Sequence, residues 1–356
     1  MSRFWSDLVH ELTPYTPGEQ PRLDNLVKLN TNENPYGPSP KVLDAINQAT
    51  AEGLRKYPDP NASELKQCIA DYYGICSDNV FVGNSSDEVL AHVFRGLLKQ
   101  DQPLLFPDIT YSFYPVYCAL FEIEFQQIPL REDYRLNLED YSSSNGGIIF
   151  ANPNAPTGIA VSPEEIEALL KSNTDSVVVV DEAYADFSNV SVVQLVKQYP
   201  NLLVTQTLSK SRSLAGLRVG LAIGDAALID ALERIKNSFH PYALDALALA
   251  GAQAAFEDES YFQQTCQQVI ATRDQTTRNL NDLGFEVLPS QANFVFARHS
   301  EIPAKALFDG LRARGIVVRY FDKPRLDNFL RISIGTPSEM ERLEQALAEL
   351  LQELST

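Results

Sequence analysis

Between about residue 41 and residue 225 the chain alternates short, almost wholly apolar runs with stretches of helical period, and few architectures accept that pattern. Apolar runs at 79 to 82, 103 to 106, 148 to 151, 176 to 180, 202 to 207 and 218 to 223 have the length of strands. The segments 63 to 73, 86 to 98 and 163 to 170 place apolar residues at helical spacing. Strands apolar on both faces need cover on both, and strand–helix alternation supplies it through parallel crossovers. The expectation is an α/β protein with a large, mainly parallel sheet and helices on both faces.

From about 243 the pattern changes to long helices, 243 to 256 and 259 to 283, followed by GFEVLPSQANFVFAR, a helix near 303 to 314, GIVVRYF, FLRISIG and an acidic terminal helix. A smaller α+β domain is expected there. The first 40 residues, rich in Pro and Asn, read as an extended arm with turns. The chain therefore divides into an arm at 1–40 that packs on the small domain, a large domain at 41–250 and a small domain at 251–356.

At 356 residues the chain exceeds what one core usually organises, which fits this division. Its 29 basic against 47 acidic side chains give a net charge of -18, which repels phosphate backbones and anionic lipid. Nucleic acid and membrane are therefore not expected partners, although a few converging arginines can still bind a small anion. The four cysteines, Cys68, Cys76, Cys118 and Cys266, form no CxxC pair and favour a reducing, cytoplasmic setting. The segment MSRFWSDLVHELTP has no signal-peptide core.

Several site types can be set aside. There is no GxxxxGK[ST] and no GxGxxG opening a helix. His10, His92, His240 and His299 show no metal-ligand spacing, so no metal is expected. What stands out is the polar residues at strand ends, because ligands of open α/β sheets bind beyond the carboxyl ends of the strands. The strand at 176 to 180 runs into Asp181, Glu182 and Tyr184, and a carboxylate there is costly unless it meets a cation or strong donor. By itself Asp181 reads as a helix N-cap or one half of a salt bridge. The strand at 202 to 207 runs into Ser209, Lys210 and Ser211, with Arg218 following; a solvated loop lysine is the ordinary reading, a Schiff-base lysine beside an anion site the sharper one. Ser85, Ser86 and Asp87 open an apolar helix, where free N–H groups suit a phosphate. The strand at 148 to 151 runs into Asn152, Pro153 and Asn154, placing an amide at the same edge. A lysine, a carboxylate, a phosphate cradle and an arginine at one sheet edge are the parts a pyridoxal phosphate enzyme needs.

At this point the sequence resembles the fold-type I aminotransferases, and within them the histidinol-phosphate aminotransferase family. The carriers run nearly end to end: LTPYTPG, KLNTNENPYGPSP, RKYPDP, GNSSDEVL, DITYSFYPVY, NPNAPTG, VVDEAYADF, TLSKSRSLAGLRVG, ANFVF, GIVVRYF and LRISIGT. The resemblance implies pyridoxal 5'-phosphate as cofactor, with Lys210 as the Schiff-base lysine and proton shuttle, Asp181 on the pyridine nitrogen and Tyr184 on the ring hydroxyl. It implies Tyr111 stacked on the ring, and Thr207, Ser209, Arg218 and the Ser85–Ser86–Asp87 turn on the phosphate. Tyr57 would reach the phosphate of a neighbouring subunit, which implies a homodimer with shared sites. The N-terminal arm would contribute to the site, and Tyr15, Asn34, Arg319 and Arg331 would bind substrate. One departure is that the family commonly has asparagine directly before Pro-Thr-Gly, where this chain has Ala155. Asn154 or Asn152 is left to supply that amide, or Tyr184 acts alone.

The implied reaction transfers an amino group between L-histidinol phosphate and 2-oxoglutarate, a step of histidine biosynthesis. Relatives acting on aromatic amino acids, or decarboxylating threonine phosphate, share most of these motifs. A non-catalytic, cofactor-binding regulatory domain is the reading from a different class, and the charge of -18 argues against its DNA-binding attachment.

Overall fold

The computed structural model describes residues 2–21, 25–188 and 190–354. Its main sheet has seven strands in the order Val80–Asn84, Val219–Gly224, Leu202–Thr207, Val178–Asp181, Gly147–Ala151, Leu104–Pro107 and Phe125–Ile128. All run in one direction except Val219–Gly224, which is antiparallel to both neighbours. The central strands are buried on both faces, as their unbroken apolar runs require.

Helices cover the sheet where sequence chemistry starts and stops them. Pro163–Ser172 begins with a capping box, in which Ser162 accepts from Glu165 N and the Glu165 carboxylate accepts from Ser162 N. Ala246–Glu257 is capped by Asp245, which accepts from the N–H groups of Leu247 and Ala248. This second helix packs on Pro40–Glu52 and Ser63–Tyr73 of the large lobe. It therefore crosses the boundary expected at residue 250, and the chain leaves the large lobe only at Asp258, before the helix Glu259–Asp282.

The small lobe is a four-stranded antiparallel sheet, ordered Arg319–Tyr320, Leu330–Ser333, Phe294–His299 and Phe285–Val287. It shares a core with helices Glu259–Asp282, Ala304–Ala313 and Pro337–Leu354 through Val269, Val295, Leu307, Ile332 and Leu343. The arm joins this lobe: Val27–Lys28 pairs in parallel with Ile316–Val317, and Val27 and Leu29 are buried in the same core. That pairing carries residues 30 to 34 to the junction of the two lobes. Among the described residues no helix is long and apolar enough to cross a membrane, and no group of His, Cys, Asp or Glu is placed to hold a metal ion.

Candidate active site

Sheet register brings the chemical residues together. Ala151, Asp181 and Thr205 are aligned partners on three parallel strands, so Asp181 stands at a common carboxyl edge. The chain then turns through the lysine loop and returns antiparallel with Thr207 opposite Gly220, which sets Arg218 beside that edge. On the far side Asn84 pairs with Val219, and the N–H of Ser85 donates to Arg218 O at 2.7 Å. Gly220 permits this approach, since a Cβ there would lie 2.3 Å from Ser86 N. One reversed strand thus joins the lysine loop, the arginine and the helix N-terminus of Ser85–Val93.

These groups line one cavity of about 520 Å³ between the lobes. Asp181, Tyr184 and Lys210 face it, as do Ser86, Asp87, Thr207, Ser209 and Arg218 around one end and Tyr111 on a wall. Arg319 and Arg331 of the small lobe also line it, as does Tyr15, whose ring packs on Phe113 beside Tyr111.

The Tyr114 hydroxyl donates to Asp181 Oδ2 at 2.9 Å, while Oδ1 is buried without a hydrogen-bond partner. Burial lifts this carboxyl from 3.8 to about 6, against the lowering effects of the Tyr114 bond and of the nearby Thr205 hydroxyl and Ala183 N–H. A buried carboxylate with one oxygen unanswered is a place for a cationic N–H donor. Lys210 Nζ donates to Thr31 O at 2.9 Å. Burial, reinforced by the Arg331 charge, pulls the amine from 10.5 down to about 8, with Glu33 acting in the opposite direction.

Tyr184 is oriented from behind. Asn32, itself buried, donates to the Tyr184 hydroxyl oxygen at 3.0 Å and leaves that O–H free to donate into the cavity. Asn32 is held in turn by Ser333, whose hydroxyl donates to its Oδ1 at 2.8 Å and accepts from its N–H at 2.9 Å. At the other end Arg218 Nη2 donates to Asp87 Oδ2 at 2.8 Å, and the Tyr111 hydroxyl donates to Asp87 Oδ1 at 3.1 Å. Arg331 is half-buried, donating through Nη2 to Asn30 O at 2.8 Å and leaving its buried Nε without a partner. The burial lowers its pKa from the ordinary arginine value.

Four expected site residues lie elsewhere. Ser85 is buried behind the cradle, where its Oγ accepts from Asp87 N, so it shapes the turn without facing the cavity. Asn154 is fully buried and spends its amide on Ile109 O and Thr157 Oγ1. Asn152 is tied in both directions to Val161, so neither amide replaces the missing asparagine, and Ala155 itself lines the cavity. Asn34 donates to the carbonyls of Lys210 and Ser211, supporting the lysine loop from outside. Tyr57 is 81% exposed and its ring rests on Tyr242, away from this chain's own cavity.

Against this geometry the comparisons are specific. The model of the family "Aminotransferase class I and II" matches residues 24–347. The histidinol-phosphate aminotransferase 1 of Hydrogenovibrio crunogenus is 62% identical over 352 residues, covering 99% of each chain. That of Pseudomonas aeruginosa is 61% identical, covering 98% of this chain and 99% of its own. The chain belongs to the histidinol-phosphate aminotransferases of class I and II. Its fold matches the histidinol-phosphate aminotransferase of Sinorhizobium meliloti, solved in complex with pyridoxal-5'-phosphate, at a TM-score of 0.89 with 24% identity and 99% of both chains covered. Aspartate aminotransferase of Thermus thermophilus shares the fold at a TM-score of 0.84 and 18% identity, over 98% of this chain and 100% of its own. The mainly parallel sheet with helices on both faces is thus the fold-type I architecture.

Sequence reasoning left out three residues of this aminotransferase that the structure brings to the site. Tyr114 and Asn32 lie inside quoted motifs but act through atoms that meet only in the fold. Lys323 also lines the cavity, and nothing in its local sequence separates it from a solvated loop lysine.

Proposed function

We propose that this chain transfers the amino group between L-histidinol phosphate and 2-oxoglutarate, giving imidazole acetol phosphate and glutamate, with pyridoxal 5'-phosphate as resident cofactor. The observation that carries the reading is the pairing, in one cavity, of an amine at about 8 with a buried carboxylate whose Oδ1 lacks a donor. That oxygen fits a protonated ring nitrogen. Ser86, Thr207, Ser209 and Arg218 fit a phosphate group, through an N–H at a helix N-terminus, hydroxyls and a guanidinium that the Asp87 carboxylate orients. When bound, pyridoxal phosphate supplies an electron sink that stabilises negative charge at the amine-bearing carbon of the substrate.

The protein's own groups do the rest. Lys210 Nζ holds the cofactor and takes and returns the proton at the amine-bearing carbon, for which an amine titrating near neutrality is suited. Asp181, kept ionised by its cationic partner, holds the ring nitrogen in its protonated form. Tyr184 offers its O–H to the ring oxygen, and Tyr111 presents its ring to the cofactor face. Arg331 takes the carboxylate of glutamate or 2-oxoglutarate, while Tyr15 and Arg319 take the phosphate of histidinol phosphate.

We also propose a cytoplasmic homodimer in which Tyr57 of each subunit completes the other's phosphate site. The exposed Tyr57–Tyr242 pair, with ring centres 4.6 Å apart, supports a surface that a partner covers. The function is tested by supplying purified protein with L-histidinol phosphate and 2-oxoglutarate and following glutamate. Turnover of an aromatic amino acid or phosphothreonine in place of histidinol phosphate would sink the substrate assignment while leaving the family intact.

A further inference from the structure

The segment 321–329 links two strands of the small-lobe sheet, yet it is fastened to the large lobe. Arg325 donates to Leu130 O at 3.1 Å, to Arg131 O at 2.8 Å and to Asp108 Oδ2 at 3.2 Å. The Tyr134 hydroxyl donates back to Arg325 O at 2.8 Å, and the guanidinium lies 5.3 Å from the Tyr134 ring centre. Leu326 and Phe329 are buried in the core cluster that contains Leu105, Ile128 and Phe150 of the main sheet. The segment is therefore a strap across the lobe junction, fixed at its far end.

This strap sets Phe321 and Lys323 on the cavity wall. The guanidiniums of Arg319 and Arg331 lie 5.5 and 5.6 Å from the Phe321 ring centre, and Lys323, two residues along the strap, lines the same cavity. The acids around the cavity are already engaged: Asp87 with Arg218, Asp108 with Arg325, Glu33 with Lys28 and Asp181 with Tyr114. Among the described residues no carboxylate forms an ion pair with Arg319, Lys323 or Arg331. A chain of net charge -18 thus keeps unpaired basic side chains on this wall of the cavity.

We infer that Lys323, held by the Arg325 strap at the exposed rim of the cavity, is a specificity-determining residue that gives the dianionic phosphate of the substrate a third cation. A carboxylate substrate carries one charge at the corresponding end and gains less from it, so the lysine favours phosphomonoesters. The inference rests on the aminotransferase reading above and adds a residue to it.

The experiment compares kcat/KM for histidinol phosphate and for glutamate in the wild type, Lys323→Gln and Lys323→Arg, each at low and high salt. Lys323→Gln should lose about tenfold with histidinol phosphate, the worth of one charge-assisted contact, and markedly less with glutamate. Lys323→Arg should recover most of the loss. Because the amine is exposed, raising the salt should erode the preference for histidinol phosphate more in the wild type than in Lys323→Gln. Equal losses on both substrates, no loss at all, or identical salt dependence would overturn the inference while leaving the proposed function standing. A wild type that does not turn over histidinol phosphate would bring down the function, and this inference with it.

Discussion

The state of the Lys210 amine can be measured without cofactor. At its ordinary 10.5 the amine would be neutral in roughly one molecule in three thousand at pH 7, and at about 8 in roughly one in ten. The neutral form is the nucleophile, so burial at this site raises its population about three-hundredfold. Competitive labelling with an amine-reactive reagent, read by peptide mass spectrometry across pH, should show Lys210 becoming reactive as pH rises through about 8 and levelling off above. Two substitutions should move the inflection in opposite directions. Arg331→Met removes a neighbouring positive charge and raises it; Glu33→Gln removes a negative one and lowers it. The two variants should differ by about one pH unit, and exposed lysines of the same protein should not move. An inflection near 10.5 in the wild type, or two variants shifting the same way, would refute the electrostatic reasoning.

Other expectations can be checked on the same protein. Glu182 is buried, accepts from Val192 N, Ser191 Oγ and Gln206 Nε2, and is raised by burial from 4.5 to about 7. The folded state then holds this proton more tightly than the unfolded chain, so its contribution, about 3 kcal/mol at most, is present below about pH 4.5 and lost as pH rises to about 7. Urea unfolding from pH 5 to 8 should show a smaller decline in Glu182→Gln than in wild type, and parallel curves would contradict it. Arg319→Leu should weaken use of histidinol phosphate far more than use of glutamate, whereas Arg331→Leu should harm both; equal losses in the Arg319 variant argue against this division. Lys210→Ala and Tyr57→Ala, each folded and impaired alone, should regain activity when mixed as heterodimers, because one of the two sites is then intact. Heterodimers that form and stay inactive would confine Tyr57 to its own subunit.

The strands that build the site were legible because they are buried on both faces and therefore uniformly apolar, as at Val178–Asp181 and Leu202–Thr207. The edge strand Phe125–Ile128 is largely exposed and lacks that signature. The helix Tyr114–Phe121, which supplies the donor to Asp181, is apolar nearly all round and shows little helical period, so it too escaped the pattern. Asp181 and Lys210 follow the carboxyl ends of parallel strands, and Arg218 reaches the same edge because the next strand, Val219–Gly224, runs back antiparallel. The amides were a different matter. Whether Asn154 faces a ligand depends on Thr157 within NPNAPTG and on the carbonyl of Ile109, which lies well outside that motif. Lys323 depends on contacts between Arg325 and residues almost two hundred positions earlier, which leave no trace in the surrounding sequence.

Recognition of the phosphate by the cations proposed above would make this aminotransferase select its donor by that group. The most direct measurement is kcat/KM for L-histidinol phosphate against unphosphorylated L-histidinol, with 2-oxoglutarate as acceptor. Two charge-assisted contacts to the phosphate, from Arg319 and Lys323, predict a ratio on the order of a hundredfold or more. A ratio near one would show that the cations around Phe321 do not read the phosphate, and would contradict the account.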